Sequence, residues 1–284
     1  MKYLLATLEK LFSHKTYIIY SLAYGLSTLI VPLGIQFLVN KLALSGLWSN
    51  IIIFILLIMF GLVFSQVIKH TQLILMESLK REIFCIEIER WRHFTTKNYS
   101  HYFFEIFNLI KSFSICYSNL IEILLALVFG LTAIIFFHPL FLVVAIVILL
   151  ILFSIYKSSI SELSYAKKES DQKYHFYDLI SSPIKLTDDD IRSFLQVRDN
   201  HFKFIRFNSF KIGAMNVIVQ SILLLSGCYL ITINQLSVGQ LVSAEIILSG
   251  ILNTLSKLPK TIETANFYEV SRLKIDHALR GHHE

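Results

Sequence analysis

Long apolar blocks alternate along the chain with charged stretches that keep a helical rhythm. Thr16 to Asn40 holds no charge, nor does Ile51 to Ile68, and each can cross a bilayer as a helix rising ~1.5 Å per residue. Pro32 and Gly34 are tolerable within the first of these and are placed to bend it. From Lys69 to His93 charges return, yet Leu79, Ile83, Ile86 and Phe84, Ile88, Trp91 still recur at helical spacing. The second span is therefore predicted to run on into water as a helix. A reverse turn is predicted around Thr95 to His101, after which the chain climbs back from Phe103 to Asn119.

From Ile123 to Tyr156 come 34 residues without a formal charge, broken at His138-Pro139. That is too long for one span and too short for two of ~20 residues. The third span therefore starts upstream near Cys116, which puts Glu122 one or two turns inside the membrane edge. Span four runs from Leu140 to about Tyr156. A second charged excursion, Lys157 to Lys211, is interrupted at Pro183 and Asp188 to Asp190, where Thr187 or an Asp is placed to cap the next helix. Span five is Ile212 to Ile233, and a short turn covers Asn234 to Gly239. Span six, Leu236 to Leu255, carries one charge, Glu245, and its helical pattern continues through Lys257, Lys260, Glu263 and Arg272.

Residues 1–15 differ from a signal peptide, because Glu9 and Lys10 break the apolar part. Tyr3, Leu4, Leu8, Leu11 and Phe12 share one face, which predicts an interfacial helix. The composition agrees with these spans: 55% hydrophobic and 16% charged residues are the balance of a polytopic membrane protein, not of a soluble domain. The chain is thus expected to be an all-α membrane protein, residues 1–284 forming one six-span unit with helical hairpins at about 69–115 and 157–211. Of the 26 Lys and Arg residues, only Lys41 falls at the end carrying the short turns. Both hairpins and both termini are therefore expected in the cytosol. The net charge of +6 belongs to this bias, and no nucleic-acid partner is implied. Cys85, Cys116 and Cys228 have neither disulfide nor metal spacing.

Three stretches carry a resemblance: LSVGQLVSAEIILSGILNTLSKL from Leu236, HFYDLISSPIKLTDDDIRSFLQVRDNHFKFIRFNSFK from His175, and KREIFCIEIERWRHFTTKNYSHYFFEIFNLIKSF from Lys80. They resemble, in turn, the sixth helix, the second intracellular loop and the first intracellular loop of the transmembrane domain of exporter-type ABC transporters. The resemblance covers nearly the whole chain and implies the exporter fold, a homodimer or a heterodimer with a similar chain, and twelve spans around a central pathway. It implies coupling turns seated on ATPase domains, near Tyr99, Tyr102 and Phe103 in the first loop and Tyr174, Phe176, Tyr177 and Asp178 in the second. Many members have Glu where Asp178 stands, and the first loop lacks the Gly that often follows its turn.

No G-x-x-x-x-G-K-[ST] occurs, so the chain has no Gly-rich phosphate cradle of that kind. It is not expected to be an enzyme or to hold a cofactor. ATP and Mg²⁺ would be bound by a separately encoded ABC ATPase, or the ATPase would lie on a longer chain. A bacterial inner-membrane location is expected, and a periplasmic adaptor stays open.

The candidate pathway residues are Glu245, Glu122, Gln220 and Asn216. A carboxylate at mid-bilayer is costly and usually faces a partner, a cavity or a pathway, against the alternative of a hydrogen-bonded packing residue. Glu122 is shallower and can reach interfacial water. For Gln36, Asn216 and Gln220, hydrogen bonding between helices is the default. Asp188 to Asp190 suits a solvated helix start better than a metal cluster. The function these features support is the membrane-spanning subunit of an ATP-driven exporter. A non-transporting scaffold or regulator on the same fold is the alternative. A lipid-acting intramembrane enzyme is the outsider, since no catalytic pair lies at matching depth.

Overall fold

The computed structural model describes residues 15–45, 48–92, 100–181 and 187–280, and all of its regular structure is helical. The helices are α1 (Lys15–Ser27), α2 (Ile30–Ser45), α3 (Trp48–Arg92), α4 (Ser100–Phe137), α5 (Leu142–Ser181), α6 (Asp188–Thr232), α7 (Val238–Leu255) and α8 (Leu258–Arg280). One 3-10 turn, Pro139–Phe141, joins α4 to α5. Grouped by their apolar stretches, they give six helices long and apolar enough to cross a membrane. The interfacial helix expected over residues 1–15 lies outside the described residues, except for Lys15, which opens α1.

Prolines shape the two ends of this series. Pro32 has no N–H to offer the Thr28 carbonyl, and span one breaks at Thr28 and Leu29 into α1 and α2. The Leu29 N–H bonds instead to the Leu26 carbonyl at 3.1 Å, a tighter turn. Pro259 acts alike on the Leu255 carbonyl. The helix expected to run unbroken out of span six is interrupted at Ser256 and Lys257, and α8 restarts from Leu258.

Turn chemistry fixes the remaining boundaries. Thr187 caps α6 through a capping box with Asp190, so the cap is Thr187 and not an aspartate. After α6, Asn234 takes φ 57°. The Gln235 N–H reaches the Leu230 carbonyl at 2.9 Å and the Asn234 N–H reaches that of Ile231 at 3.0 Å. This Schellman closure satisfies the last carbonyls of α6 and reverses the chain. Ser237 and Gln240 then form the capping box of α7. Gly239 sits where a Cβ would lie 2.8 Å from the Gln36 carbonyl, so only glycine lets α7 approach α2 this closely. The Ser243 hydroxyl donates to the Pro32 carbonyl at 2.6 Å along the same seam.

Two apolar clusters hold the bundle. Ile134, Phe141, Ile148, Met215, Leu223 and Leu248 belong to the membrane cluster, built on α4 to α7. Leu79, Ile106, Phe113, Cys116, Tyr117 and Tyr268 belong to the second, which joins α3 and α4 to α8 at the charged end. The outer faces of α3 and α5 are strongly apolar: Ile53 is 63%, Phe60 75% and Phe153 67% exposed. In water these faces would be an aggregation hazard, whereas in a bilayer they meet solvent of their own kind.

Candidate functional site

The exposed side of α7 does not follow that rule. Its inner side buries Ala244, Ile247, Leu248, Ile251, Leu252 and Leu255. After Val238, its exposed positions are Ser249, Gly250 and Asn253, all small or polar. Helical geometry puts Glu245, Ser249, Asn253 and Ser256 in one stripe, at spacings of three and four residues. Neither the Ser249 hydroxyl nor the Asn253 amide has a hydrogen-bond partner among the described residues, whereas the Ser256 hydroxyl turns back to the Asn253 carbonyl at 2.6 Å. No side-chain Cβ at Gly250 would meet anything within 4 Å, so the face is open there. A lipid-facing surface has no use for such groups, because hydrocarbon cannot satisfy them.

Glu245 borders this face and is half-buried. Its Oε2 is enclosed and has no hydrogen-bond partner. One turn earlier, Leu241 packs against Gly227 of α6, leaving no room for a Cβ there. The open side of α7 therefore lies between α6 on one flank and α2 on the other.

The remaining pathway candidates are placed differently. Glu122 of α4 pairs with Lys257, in the turn between α7 and α8, at 2.9 Å. It ties the end of span six to span three, and its charge is compensated. Asn216 and Gln220 lie one turn apart on the half-buried side of α6, and the Asn216 Oδ1 is enclosed without a partner. No hydrogen bond joins either of them to Glu245.

Beyond the apolar spans, the charged end holds a buried network that sequence reasoning missed. His201 of α6 is fully buried between two equally buried carboxylates of α5, Glu162 and Glu169. Its Nδ1 is 2.5 Å from Glu169, while its Nε2 is 3.6 Å from Glu162, an ion-pair distance too long for a hydrogen bond. Glu169 also accepts from Arg198 at 2.9 Å and Lys173 at 2.8 Å. Arg198 reaches on to Glu263 of α8 at 3.5 Å, and Phe267, one turn further along α8, sets its ring edge-on to His201 at 6.1 Å. Burial alone would lower the imidazole's affinity for a proton, but Glu162 and Glu169 outweigh it and raise its pKa to about 9. Burial would likewise raise Glu169, but His201, Lys173 and Arg198 hold it down to about 2. The hairpin α5–α6 is thus fastened to α8 by charge.

The other hairpin is tied to α8 as well. Arg272 meets Glu87 of α3 at 2.6 Å, and Ser271 donates to Glu105 of α4. Glu105 is buried, so the end of the first predicted coupling turn faces inward. From Ser100 onward that segment is already helix. Tyr99 lies outside the described residues, as do the side chains of Tyr102, Phe103, Tyr174, Tyr177 and Asp178. Phe176 is half-buried, with its ring against Phe194 of α6 at 5.3 Å. Among the described residues, no group of three or more His, Cys, Asp or Glu is placed to hold a metal ion.

No protein-family model matches the chain. No curated protein matches it in sequence. Among solved structures, it is similar to a bacterial Atm1-family ABC exporter with ATP bound, at a TM-score of 0.55 and 13% identity. The match covers 93% of this chain and 52% of that one, so the chain spans about half of the exporter's length. At this identity the likeness is one of fold: six membrane-capable helices arranged as in an ABC exporter's transmembrane region.

Proposed function

We propose that this chain is the membrane-spanning subunit of an ATP-driven exporter, working as a dimer with an ABC ATPase that these 284 residues do not contain. The observation that carries the reading is the exposed face of α7. Ser249, Gly250, Asn253 and the adjoining Glu245 form a polar surface in a span whose neighbours expose large apolar side chains. A second copy that brings its own α7 opposite would enclose a polar pathway between apolar walls. The likeness to the exporter supports the same arrangement.

The network at the charged end supplies the mechanical link. Conformational work done on the hairpin tips can reach the pathway only through stiff elements, and α8 is the extension of the span that lines it. Through Arg198, His201 and Glu263 one hairpin pulls on α8, and through Arg272 and Glu87 the other does. The tips of α3–α4 and α5–α6 are the surfaces on which the ATPase would sit, on the cytosolic side of the membrane. The chain itself would position, transmit and enclose, while ATP and Mg²⁺ stay with the partner.

Solubilised from its native membrane in mild detergent, the chain is expected to carry a protein with a Walker A sequence in near one-to-one amount. A chain that stays dimeric but brings no ATP-hydrolysing partner would point to a scaffold instead.

A further inference from the structure

The pathway just proposed has a definite charge, and that charge specifies a ligand. Three observations combine. First, Glu245 is the single formally charged residue of α7, and Glu122, the other carboxylate at membrane depth, is already neutralised by Lys257 at 2.9 Å. Second, no described residue gives Glu245 a hydrogen bond or an ion pair, and its Oε2 is enclosed without a donor. Third, Ser249 and Asn253 continue the same face by one and two turns, about 12 Å in all at ~1.5 Å per residue, and their polar groups are unclaimed too. Half-exposed Val242 and Ile246 border these groups with apolar surface.

We infer that the face of α7 around Glu245 is a binding site for the cationic group of an amphipathic organic cation. This inference rests on the pathway reading above. An unpaired carboxylate at this depth is costly, and a permanent cation bound beside it offsets that cost. Val242 and Ile246 suit the apolar body of such a molecule, while Ser249 and Asn253 suit a polar substituent further along. An anionic amphiphile of the same shape meets an uncompensated like charge and is rejected. The competing occupant is a proton, which would leave the face neutral and indifferent to ligand charge.

The test uses two ions of nearly identical size and shape, tetraphenylphosphonium and tetraphenylborate, with the full chain in lipid nanodiscs and empty discs subtracted. Wild-type chain is expected to retain the cation at least roughly tenfold better than the anion. Glu245→Gln keeps the volume and removes the charge, and it should abolish that preference, whereas Glu245→Asp should keep most of it. Phe153→Ala, on the outer apolar face of α5 and away from this site, should leave the preference intact. If both ions bind equally and Glu245→Gln changes neither, the pathway stands and its charge selectivity is refuted. If neither ion binds above empty discs, the cation site is refuted, while the pathway reading is decided separately by the ATPase that co-purifies with the chain.

Discussion

His201→Leu is expected to release the α5–α6 hairpin from α8, at a cost of roughly 3–5 kcal/mol, the usual penalty for removing one partner of a buried charge pair. The substitution leaves Glu162 and Glu169 buried, and Glu162 keeps only the Asn208 amide, at 3.3 Å. Amide exchange should rise along residues 160–172 and 195–205 while α7 and the apolar part of α6 stay protected. His201→Gln, which can still donate to Glu169, should fall between the two. Equal protection in wild type and His201→Leu would show that the hairpin is held by its apolar contacts alone.

The same pair predicts how that protection depends on pH. His201 is raised from its ordinary 6.5 to about 9, so its contribution is complete below 6.5 and disappears as pH climbs through 9. The shift corresponds to roughly 3 kcal/mol. Glu169 is lowered from 4.5 to about 2, so its contribution is complete above 4.5 and disappears as pH falls through 2. Both shifts describe one contact and do not add. The α5–α6 hairpin should therefore be most protected between about pH 4.5 and 6.5.

If an ABC ATPase docks on the hairpin tips as proposed, Phe176→Ala is expected to weaken its binding by about 2 kcal/mol or more, as removal of a central aromatic anchor does at other interfaces. Phe176 also packs on Phe194, so the substitution loosens the hairpin tip from within. Phe194→Ala removes the same internal contact and supplies the control. A docking role requires Phe176→Ala to cost much more ATPase binding than Phe194→Ala, measured by titrating the ATPase onto each variant. Equal losses would assign Phe176 to the hairpin's own packing and leave the docking surface elsewhere.

The spans, the His138-Pro139 turn and the cap region at Thr187 were legible because each rests on local chemistry: runs of apolar residues, a missing N–H, a hydroxyl three residues before Asp190. The break at Pro259 was local too, but the continuing helical pattern on both sides concealed it. Glu245 stood out in the sequence because a bilayer makes one carboxylate conspicuous. The partner of Glu122 did not, since Lys257 is 135 residues away and looked like a charge beyond the membrane. The His201 network was hidden for a stronger reason. Glu162 and Glu169 are seven residues apart, so two helical turns put them on one face of α5, but such spacing is common on exposed helices. Only the register of α5 against α6, set by packing along the whole hairpin, brings His201 between them. The polar face of α7 was equally out of reach, because Ser249 and Asn253 become meaningful only once Ile247, Leu248 and Ile251 are seen to point inward.

The most direct test of an ATP-driven pathway along α7 is the reactivity of a cysteine at Asn253, with Cys85 and Cys228, both exposed, replaced by serine. The chain and the ATPase proposed as its partner are reconstituted in vesicles and treated with a membrane-impermeant thiol reagent. Gln235→Cys, on the exposed turn before α7, should react from the outer side, and Asp189→Cys, at the start of α6, only from the inner side. Asn253→Cys should react with the impermeant reagent, and adding ATP should change the side from which it does so. Reaction with lipid-soluble reagents alone, the same with and without ATP, would place Asn253 against hydrocarbon and contradict the pathway.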